Sequence, residues 1–382
     1  MRKGWEYKRF DEVFDLQMGK TPDRKNPEYF GGNNVWVSIR DLKDKEIADS
    51  NEHITNLAVS NTNIRKVKKG TVIMSFKLTV GKCGIAATDL YTNEAIMAFN
   101  TKEYYDIHPS FLYYYLQCYH WVGSNKAVMG ITLNKATISK HYISIPPLST
   151  QLSIVSELDK INELIRLKKE QLKDFDNLAQ SIFYEMFGDP VENERGWEVK
   201  KLGEVGELAR GVSKHRPRNA PELLGGSMPL IQTGDVASSN FYITKYSSTY
   251  SKLGVEQSRV WEAGTLCITI AATIGKCAIL GFTACFPDSI VGYKPNNEAN
   301  TIYMYFIFKN MQKMLEEFAP GVAQKNINLK ILSNLAIPLP PLPLQHLFAQ
   351  RIEQIEHQKA EVQKSITNLE TLLASRMQYW FE

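Results

Sequence analysis

The chain contains the same unit twice. Trp5-Glu6-Tyr7-Lys8 leading into Val13 returns 192 residues later (197 minus 5) as Trp197-Glu198-Val199-Lys200 leading into Val205. KKGTVIMSFKLTVGKCGIA around Gly81-Lys82 returns as EAGTLCITIAATIGKCAIL around Gly275-Lys276, an offset of 194 (275 minus 81). Ile145-Pro146-Pro147-Leu148 with Gln151 returns at that offset as Leu339-Pro340-Pro341-Leu342 with Gln345. A tandem duplication demands two copies of one fold, so whatever holds for one half constrains the other.

Each copy ends in a long helix. From Ile154, steps of three and four give Ile154, Leu158, Ile161, Ile165, Lys168, Leu172, Phe175, Ala179, Ile182 and Met186, a narrow coiled-coil stripe. The second copy gives Phe348, Ile352, Ile355, Lys359, Val362, Ile366, Leu369, Leu373, Arg376 and Trp380. At 1.5 Å per residue such a helix reaches roughly 55 Å, more than packing inside one small domain requires. Two such seams are buried if the helices pair antiparallel about a pseudo-twofold axis, with a globular part at each end. The polar residues in the seam, Lys168, Lys359 and Arg376, either set its register or run their stems to the rim. The expected organisation is a globular part over 1–148, a helix over 149–188, a second globular part over 189–342 and a second helix over 343–382.

Inside the globular parts, short β-rich runs alternate with Gly, Lys and Asn. Val35 to Ile39, Gly70 to Phe76, Lys82 to Ala86 and Ala95 to Phe99 read as strands in the first copy. Gly264 to Ile270, Lys276 to Leu280 and Ser289 to Tyr293 read so in the second, with helices from Phe111 to Tyr119 and Ile302 to Glu317. Many short strands with few helices predict an α+β class with curved sheets rather than a doubly wound nucleotide fold.

Composition adds limits. With 382 residues and 43% hydrophobic content the chain can bury sizeable cores, and a formal charge of +4 selects no partner by itself. Cys83, Cys118, Cys267, Cys277 and Cys285 show no Cys-x-x-Cys pair and no metal-ligand spacing, which fits small buried side chains in a reducing compartment. No apolar run approaches the ~20 residues of a membrane span and no signal-like apolar core follows the start, so a cytoplasmic protein away from membranes is expected.

Signatures of catalysis are missing. Gly81-Lys82 and Gly275-Lys276 lack the upstream glycine and following Ser/Thr of a P-loop, and read better as tight turns with an exposed lysine. No Gly-x-Ser-x-Gly, His-Glu-x-x-His or dinucleotide fingerprint occurs. Hence no catalytic residue and no metal ligand is assigned. Basic turn-rich segments stand out instead. Lys20, Arg24 and Lys25 lie in Lys20-Thr21-Pro22-Asp23-Arg24-Lys25, placed before the first strand; Arg210, Lys214, Arg216 and Arg218 occupy the equivalent segment, where five cations in nine residues with His215 repel one another without an anion. Polar loops before the proline corners carry Asn134 and Lys135 in one copy and Gln324, Lys325 and Asn326 in the other. Such side chains suit phosphate neutralisation and base-edge reading, although charged loops are often plain solvated surface.

These residues carry a family resemblance. Gly19-Lys20-Thr21-Pro22, Tyr29-Phe30-Gly31-Gly32, Trp36 to Leu42, Gly70-Thr71 to Gly81-Lys82 and Ile145-Pro146-Pro147-Leu148-x-x-Gln151 recur in order as Gln232-Thr233-Gly234-Asp235-Val236, Gly264-Thr265 to Gly275-Lys276 and Pro338-Leu339-Pro340-Pro341-Leu342-x-x-Gln345. The whole chain resembles the specificity (S) subunit of type I restriction-modification systems. The resemblance implies two target recognition domains separated by long helices, each reading one half of a bipartite double-stranded DNA target. It implies no catalytic site and no cofactor in this chain. S-adenosylmethionine, ATP and Mg belong to partners: two modification (methyltransferase) subunits docked on the helices, and restriction subunits that translocate and cleave.

On that reading Lys82 and Lys276 contact phosphates, while Arg40, Gln232, Gln324 and Asn326 approach base edges. Tyr29-Phe30 in the first copy is Leu223-Leu224 in the second, and the second basic loop is richer in arginine, so the target is expected to be asymmetric. Two alternatives remain at this stage. One is an adenine methyltransferase fused to its own recognition domain, against which stands the lack of an Asn-Pro-Pro-aromatic motif. The other is a coiled-coil adaptor that binds no DNA.

Overall fold

The computed structural model describes residues 2, 4–121, 125–127, 130–271, 273–317 and 327–382, with backbone alone at 125–127 and 130–132. It divides into two compact units, one formed by Met1–Lys169 with Lys364–Glu382 and the other by Glu170–Gln363. Each long helix therefore contributes to both.

In the first unit Phe14–Met18, Ile96–Thr101, Val72–Ser75, Cys83–Ala86 and Glu46–Ile47 form a five-stranded sheet in that order. His53–Ile54, Phe30–Val37 and Tyr91–Thr92 form a smaller sheet, and Glu6–Arg9 pairs with Tyr142–Ile145. Strands Val72–Ser75 and Cys83–Ala86 of the large sheet are buried on both faces, and helix Pro109–Cys118 covers the sheet with Phe111, Leu112, Tyr114, Tyr115 and Leu116. Pro109 starts that helix with its fixed φ, and the His108 ring accepts the Ser110 N–H at 3.3 Å.

The second unit repeats this. Gly206–Arg210, Ile290–Pro295, Leu266–Thr269, Cys277–Leu280 and Tyr242–Ile243 form the five-stranded sheet, and Ser248–Tyr250, Leu224–Leu230, Ala284–Cys285 and Val260–Trp261 the smaller one. Thr301–Glu317 is the covering helix. Strands Glu6–Arg9 and Phe14–Met18 precede the Lys20 segment, which corrects its expected place before the first strand. Phe14, Leu16 and Met18 alternate with Asp15 and Gln17, the period of a half-buried strand.

The long helices span Leu148–Phe187 and Leu342–Phe381. Pro146-Pro147 and Pro340-Pro341 sit at their entries, where a missing N–H costs nothing. Within the first unit Glu157 meets Arg376 and Lys169 meets Glu370; within the second Asp176 meets Lys359 and Phe183 meets Phe348. Partners fall in number on one helix as they rise on the other, so the segments pair antiparallel inside each unit. Ile154, Leu158, Ile161 and Ile165, and Phe348, Ile352, Ile355, Val362 and Ile366, are buried as the seam requires. Leu172, Phe175, Ile182, Leu369 and Leu373 are half-buried. Phe183 and Phe187 widen the stripe where the helix also packs on the globular core, against Tyr303 and Phe348.

The polar seam residues Lys359 and Arg376 form ion pairs. Lys359, with 12% of its side chain exposed, reaches Asp176 and Glu356 at 2.7 Å each. Burial disfavours its charge, and the two carboxylates outweigh that and raise its pKa. The five cysteines are free thiols, and burial pushes Cys277 up to about 12 and Cys118 to about 11. Among the described residues no helix is long and apolar enough to cross a membrane.

Candidate nucleic-acid interface

Strand register decides where the basic segments meet. Met18 lies opposite Met97 and Ser75 opposite Ile96. The chain after Met18, the hairpin loop between Ser75 and Cys83, and the turn before Ile96 therefore leave one end of the sheet together. Gly19 lies against that turn: its N–H donates to Ile96 O at 3.2 Å, and a Cβ there would lie 2.2 Å from Thr92 O. Only glycine permits this approach, and it sets Lys20 against the same turn, its N–H donating to Thr92 O at 2.9 Å.

The hairpin closes through Gly81, at φ +90°, whose N–H donates to Ser75 O at 3.0 Å, while the Lys82 N–H donates to Ser75 Oγ at 3.1 Å. Lys82 is exposed, as a tight turn with a projecting lysine requires. Leu133 N–H donates to Phe76 O at 3.1 Å and so brings Asn134 and Lys135 to the same loop. The Asn134 carboxamide oxygen accepts the Thr137 N–H at 2.8 Å and caps the helix Lys135–Ser139, leaving its NH₂ group outward-capable.

The second unit builds the same end. Arg210 lies opposite Val291 and Thr269 opposite Ile290. Gly211 donates to Ile290 O at 2.9 Å, and a Cβ would lie 2.1 Å from Phe286 O. Gly275, at φ +75°, donates to Thr269 O at 2.9 Å and presents an exposed Lys276. Ile327 N–H donates to Ile270 O at 3.1 Å, and Arg210 Nη2 donates to Ile327 O at 3.5 Å. Asn328 caps the following helix by accepting the Ile331 N–H at 2.9 Å, so it is the structural counterpart of Asn134. Gln324, Lys325 and Asn326 lie outside the described residues.

Several predicted contacts have internal partners. Arg24 was expected as a solvent-facing cation. Its Nη1 and Nη2 bind the two carboxylate oxygens of Glu52 at 2.5 and 2.9 Å, and its guanidinium lies over Phe30 and Trp36 at 4.8 and 4.9 Å. The Glu52 bond raises the pKa of Arg24, and Arg24 holds Glu52 below the usual glutamate range. Arg24 thus braces the loop onto the smaller sheet. Lys20 Nζ donates to Thr62 O at 2.6 Å and keeps further N–H donors.

In the Arg210 to Arg218 segment the expected uncompensated repulsion is relieved. Arg218 binds Asp288 at 2.8 Å, Arg216 donates to Ser213 O at 2.6 Å and His215 O at 2.8 Å, and His215 lies 3.9 Å from Glu222. The backbone N–H groups of Lys214 and His215 donate to Gln257 Oε1 at 2.6 and 3.1 Å, and the Lys214 side chain is exposed.

Lys25, Arg40 and Gln232 are exposed. Arg40 sits in the turn Ile39–Asp41, pinned by Asp41, which accepts the Ser38 N–H at 2.8 Å and hydroxyl at 2.7 Å and the Asn51 N–H at 3.0 Å. Burial pushes the Asp41 carboxyl up, and these bonds together hold it below its ordinary value. Gln232 occupies the place of Ser38, its N–H donating to Asp235 at 2.8 Å.

One cationic segment escaped sequence reading. Arg65, Lys66, Lys68 and Lys69 are exposed and adjoin the interface, because Gln17 Nε2 donates to the carbonyls of Arg65 and Lys66 at 3.1 and 3.2 Å. Its signal was the run Arg-Lys-Val-Lys-Lys itself. Among the described residues no group of His, Cys, Asp and Glu could hold a metal ion.

The duplicated chain has parallels among known proteins. A family model described as the type I restriction modification DNA specificity domain matches residues 2–174 and again 194–371. The chain belongs to this family. Its two matches coincide with the two copies of the repeat. This specificity chain is 24% identical over 402 residues to the type I restriction enzyme MjaIX specificity subunit of Methanocaldococcus jannaschii, an alignment covering 97% of this chain and 91% of the relative.

Two solved structures share its fold. One is a chain from a study of complex assembly and conformational transition in a type I R-M system, with TM-score 0.65, 19% identity, and coverage of 100% of this chain and 98% of the other. The second is the type I restriction-modification S subunit from M. genitalium, with TM-score 0.56, 14% identity, and coverage of 99% and 96%. The specificity subunit is a DNA sequence-recognition component of a type I restriction-modification system, and its family is not an enzyme family.

Proposed function

We propose that each unit reads one half of an asymmetric, bipartite double-stranded DNA target, with residues 1–148 and 189–342 as the two target recognition domains. The observation carrying this is the duplicated sheet end, which gathers Lys20, Lys82 and Lys135 in one unit and Arg210 and Lys276 in the other. On this reading Lys82 and Lys276 take phosphates and Arg40, Gln232, Gln324 and Asn326 take base edges, with Lys25, Asn134, Lys214 and Lys325 as further DNA-binding residues. Since the two sets differ, the half-sites differ.

The helices over 149–188 and 343–382 fix the spacer and dock two modification subunits, which bring S-adenosylmethionine; restriction subunits bring ATP and Mg. The free thiols suit the cytoplasm. Support for the assembly comes from the family match and from the type I R-M system neighbour.

Methylome sequencing of a host expressing the chain with its modification subunit is the test. An asymmetric motif interrupted by a spacer is expected, and a continuous motif overturns the reading. Inserting one heptad into each helix, after Lys169 and after Gln363, adds about 10 Å. At 3.4 Å per base pair the spacer should grow by about three base pairs, or methylation should cease, with both half-motifs unchanged where any methylation remains.

A further inference from the structure

The duplication allows a residue-by-residue comparison of charge. At the start of the central strand of each large sheet, Gly70 and Gly264 both have φ +84° and both donate to the neighbouring strand at 2.7 Å, to Ala86 O and Leu280 O. Three residues earlier Val67 and Trp261, both buried, pair with Leu90 and Ala284. These anchors make Arg65, Lys66, Lys68 and Lys69 the positional equivalents of Arg259, Val260, Glu262 and Ala263. Across the adjoining strand pair, Asp15 opposite Asn100 corresponds to Glu207 opposite Lys294.

The second unit is internally neutral here. Lys294 binds Glu262 at 2.7 Å and Arg259 binds Glu207 at 3.2 Å. In the first unit Lys68 stands where Glu262 would, and Asn100 where Lys294 would. Lys66 lies 3.6 Å from Asp89, whose carboxylate also accepts the Lys69 N–H at 3.0 Å, and Lys102 lies 4.0 Å from Asp15. The side chains of Arg65, Lys68 and Lys69 have no ion-pair partner among the described residues. Lys66, Lys68 and Lys69 line a groove of about 670 Å³ that also presents Asp15, Gln17, Asn100 and Thr101. Like charges held this close repel, which polyanion binding would relieve.

We propose that Arg65, Lys66, Lys68 and Lys69 form a phosphate-binding strip for the backbone of duplex DNA, present on the first unit and replaced on the second by a closed ion-pair network. The inference rests on the reading that these units bind DNA. Its ligand is the sugar-phosphate backbone, because flexible lysines without a fixed planar partner suit point contact with phosphate. The strip starts beside the interface, where Lys20 reaches Thr62 O and Gln17 holds the carbonyls of Arg65 and Lys66, and runs to the other end of the sheet, where Lys68 and Lys69 precede Gly70.

The test is binding of target duplex by the full chain assembled with its modification subunit, over a series of potassium chloride concentrations. In the triple variant Lys66→Ala, Lys68→Ala, Lys69→Ala, the slope of log K against log salt should fall by about 0.9 per lost contact, up to about 2.7, with the methylated motif unchanged. Lys68→Glu, which places in the first unit the side chain type the second already tolerates, should also flatten the slope without unfolding. Lys82→Ala is the control for DNA binding itself. If the strip variants keep the wild-type slope while Lys82→Ala lowers it, the strip is refuted and the reading stands. If the wild-type assembly binds DNA without salt dependence, the reading fails. A changed motif in the triple variant overturns the phosphate assignment.

Discussion

In the first unit the guanidinium of Arg376 takes hold of both carboxylate oxygens of Glu157, with Nη2 to Oε2 at 3.1 Å and Nε to Oε1, and Trp380 Nε1 adds a bond to Oε2 at 3.0 Å. The second unit has no copy of this clasp, since Arg351 and Ile182 stand at the equivalent positions. The Arg376 bond holds Glu157 below its ordinary value.

A glutamate whose folded pKa is depressed stabilises the fold above its unfolded value and loses that contribution as pH falls through the folded one. With an unfolded value of about 4.3, the melting-temperature gap between wild type and Glu157→Gln should be full at neutral pH, narrow as pH falls below that value, and close once pH has fallen through the depressed folded one. Thermal melts across acid pH check this; a gap that persists at low pH would mean the clasp acts through packing alone.

Gln151 and Gln345 are fully buried and hydrogen-bonded alike. Gln151 Oε1 accepts the His108 N–H at 2.9 Å, and its Nε2 donates to Asp106 O at 2.8 Å and Pro146 O at 2.9 Å. Gln345 does the same with Asn300, Glu298 and Pro340. Gln151→Leu should strand these backbone groups and cost about 3 kcal/mol. Hydrogen exchange should rise in the first unit alone, and Gln345→Leu should show the reverse.

Gly19→Ala and Gly211→Ala should each disable one reading head. The new Cβ would lie within 2.2 Å of Thr92 O or 2.1 Å of Phe286 O, so the loop must shift, at a cost of about 2 kcal/mol. Methylation assays on mutated half-sites should show discrimination lost in one half only.

Lys82→Ala and Lys276→Ala should each lower the salt slope of DNA binding by about 0.9 with the motif intact. Altered base preference would move these lysines from phosphate to base contact.

Much of the fold was legible because its signals are local. The seam residues recur every three or four positions, and each apolar strand run is bounded by Gly, Lys or Asn, so neither needs knowledge of distant chain. Strand Phe14–Met18 escapes the search for β-rich apolar runs because Asp15 and Gln17 interrupt its apolar residues. The Asn134 loop matches the stretch 324–328 only as a whole in sequence, and the pairing of Asn134 with Asn328 came from the structure, because loop length shifts alignment where no apolar period marks the register.

By itself the sequence determined the duplication, the two long helices, the glycine-lysine turns and the asymmetry of the basic segments, since each is written in neighbouring residues. Only the tertiary structure decided which of those cations are available. Arg24 looked free until folding brought Glu52, 28 residues onward, against its guanidinium. Lys68 looked like one more charge in a run until register set it where the other unit carries Glu262. Pairing between strands fixes which charges become neighbours, and an ion pair depends on a separation in space that no spacing along the chain specifies.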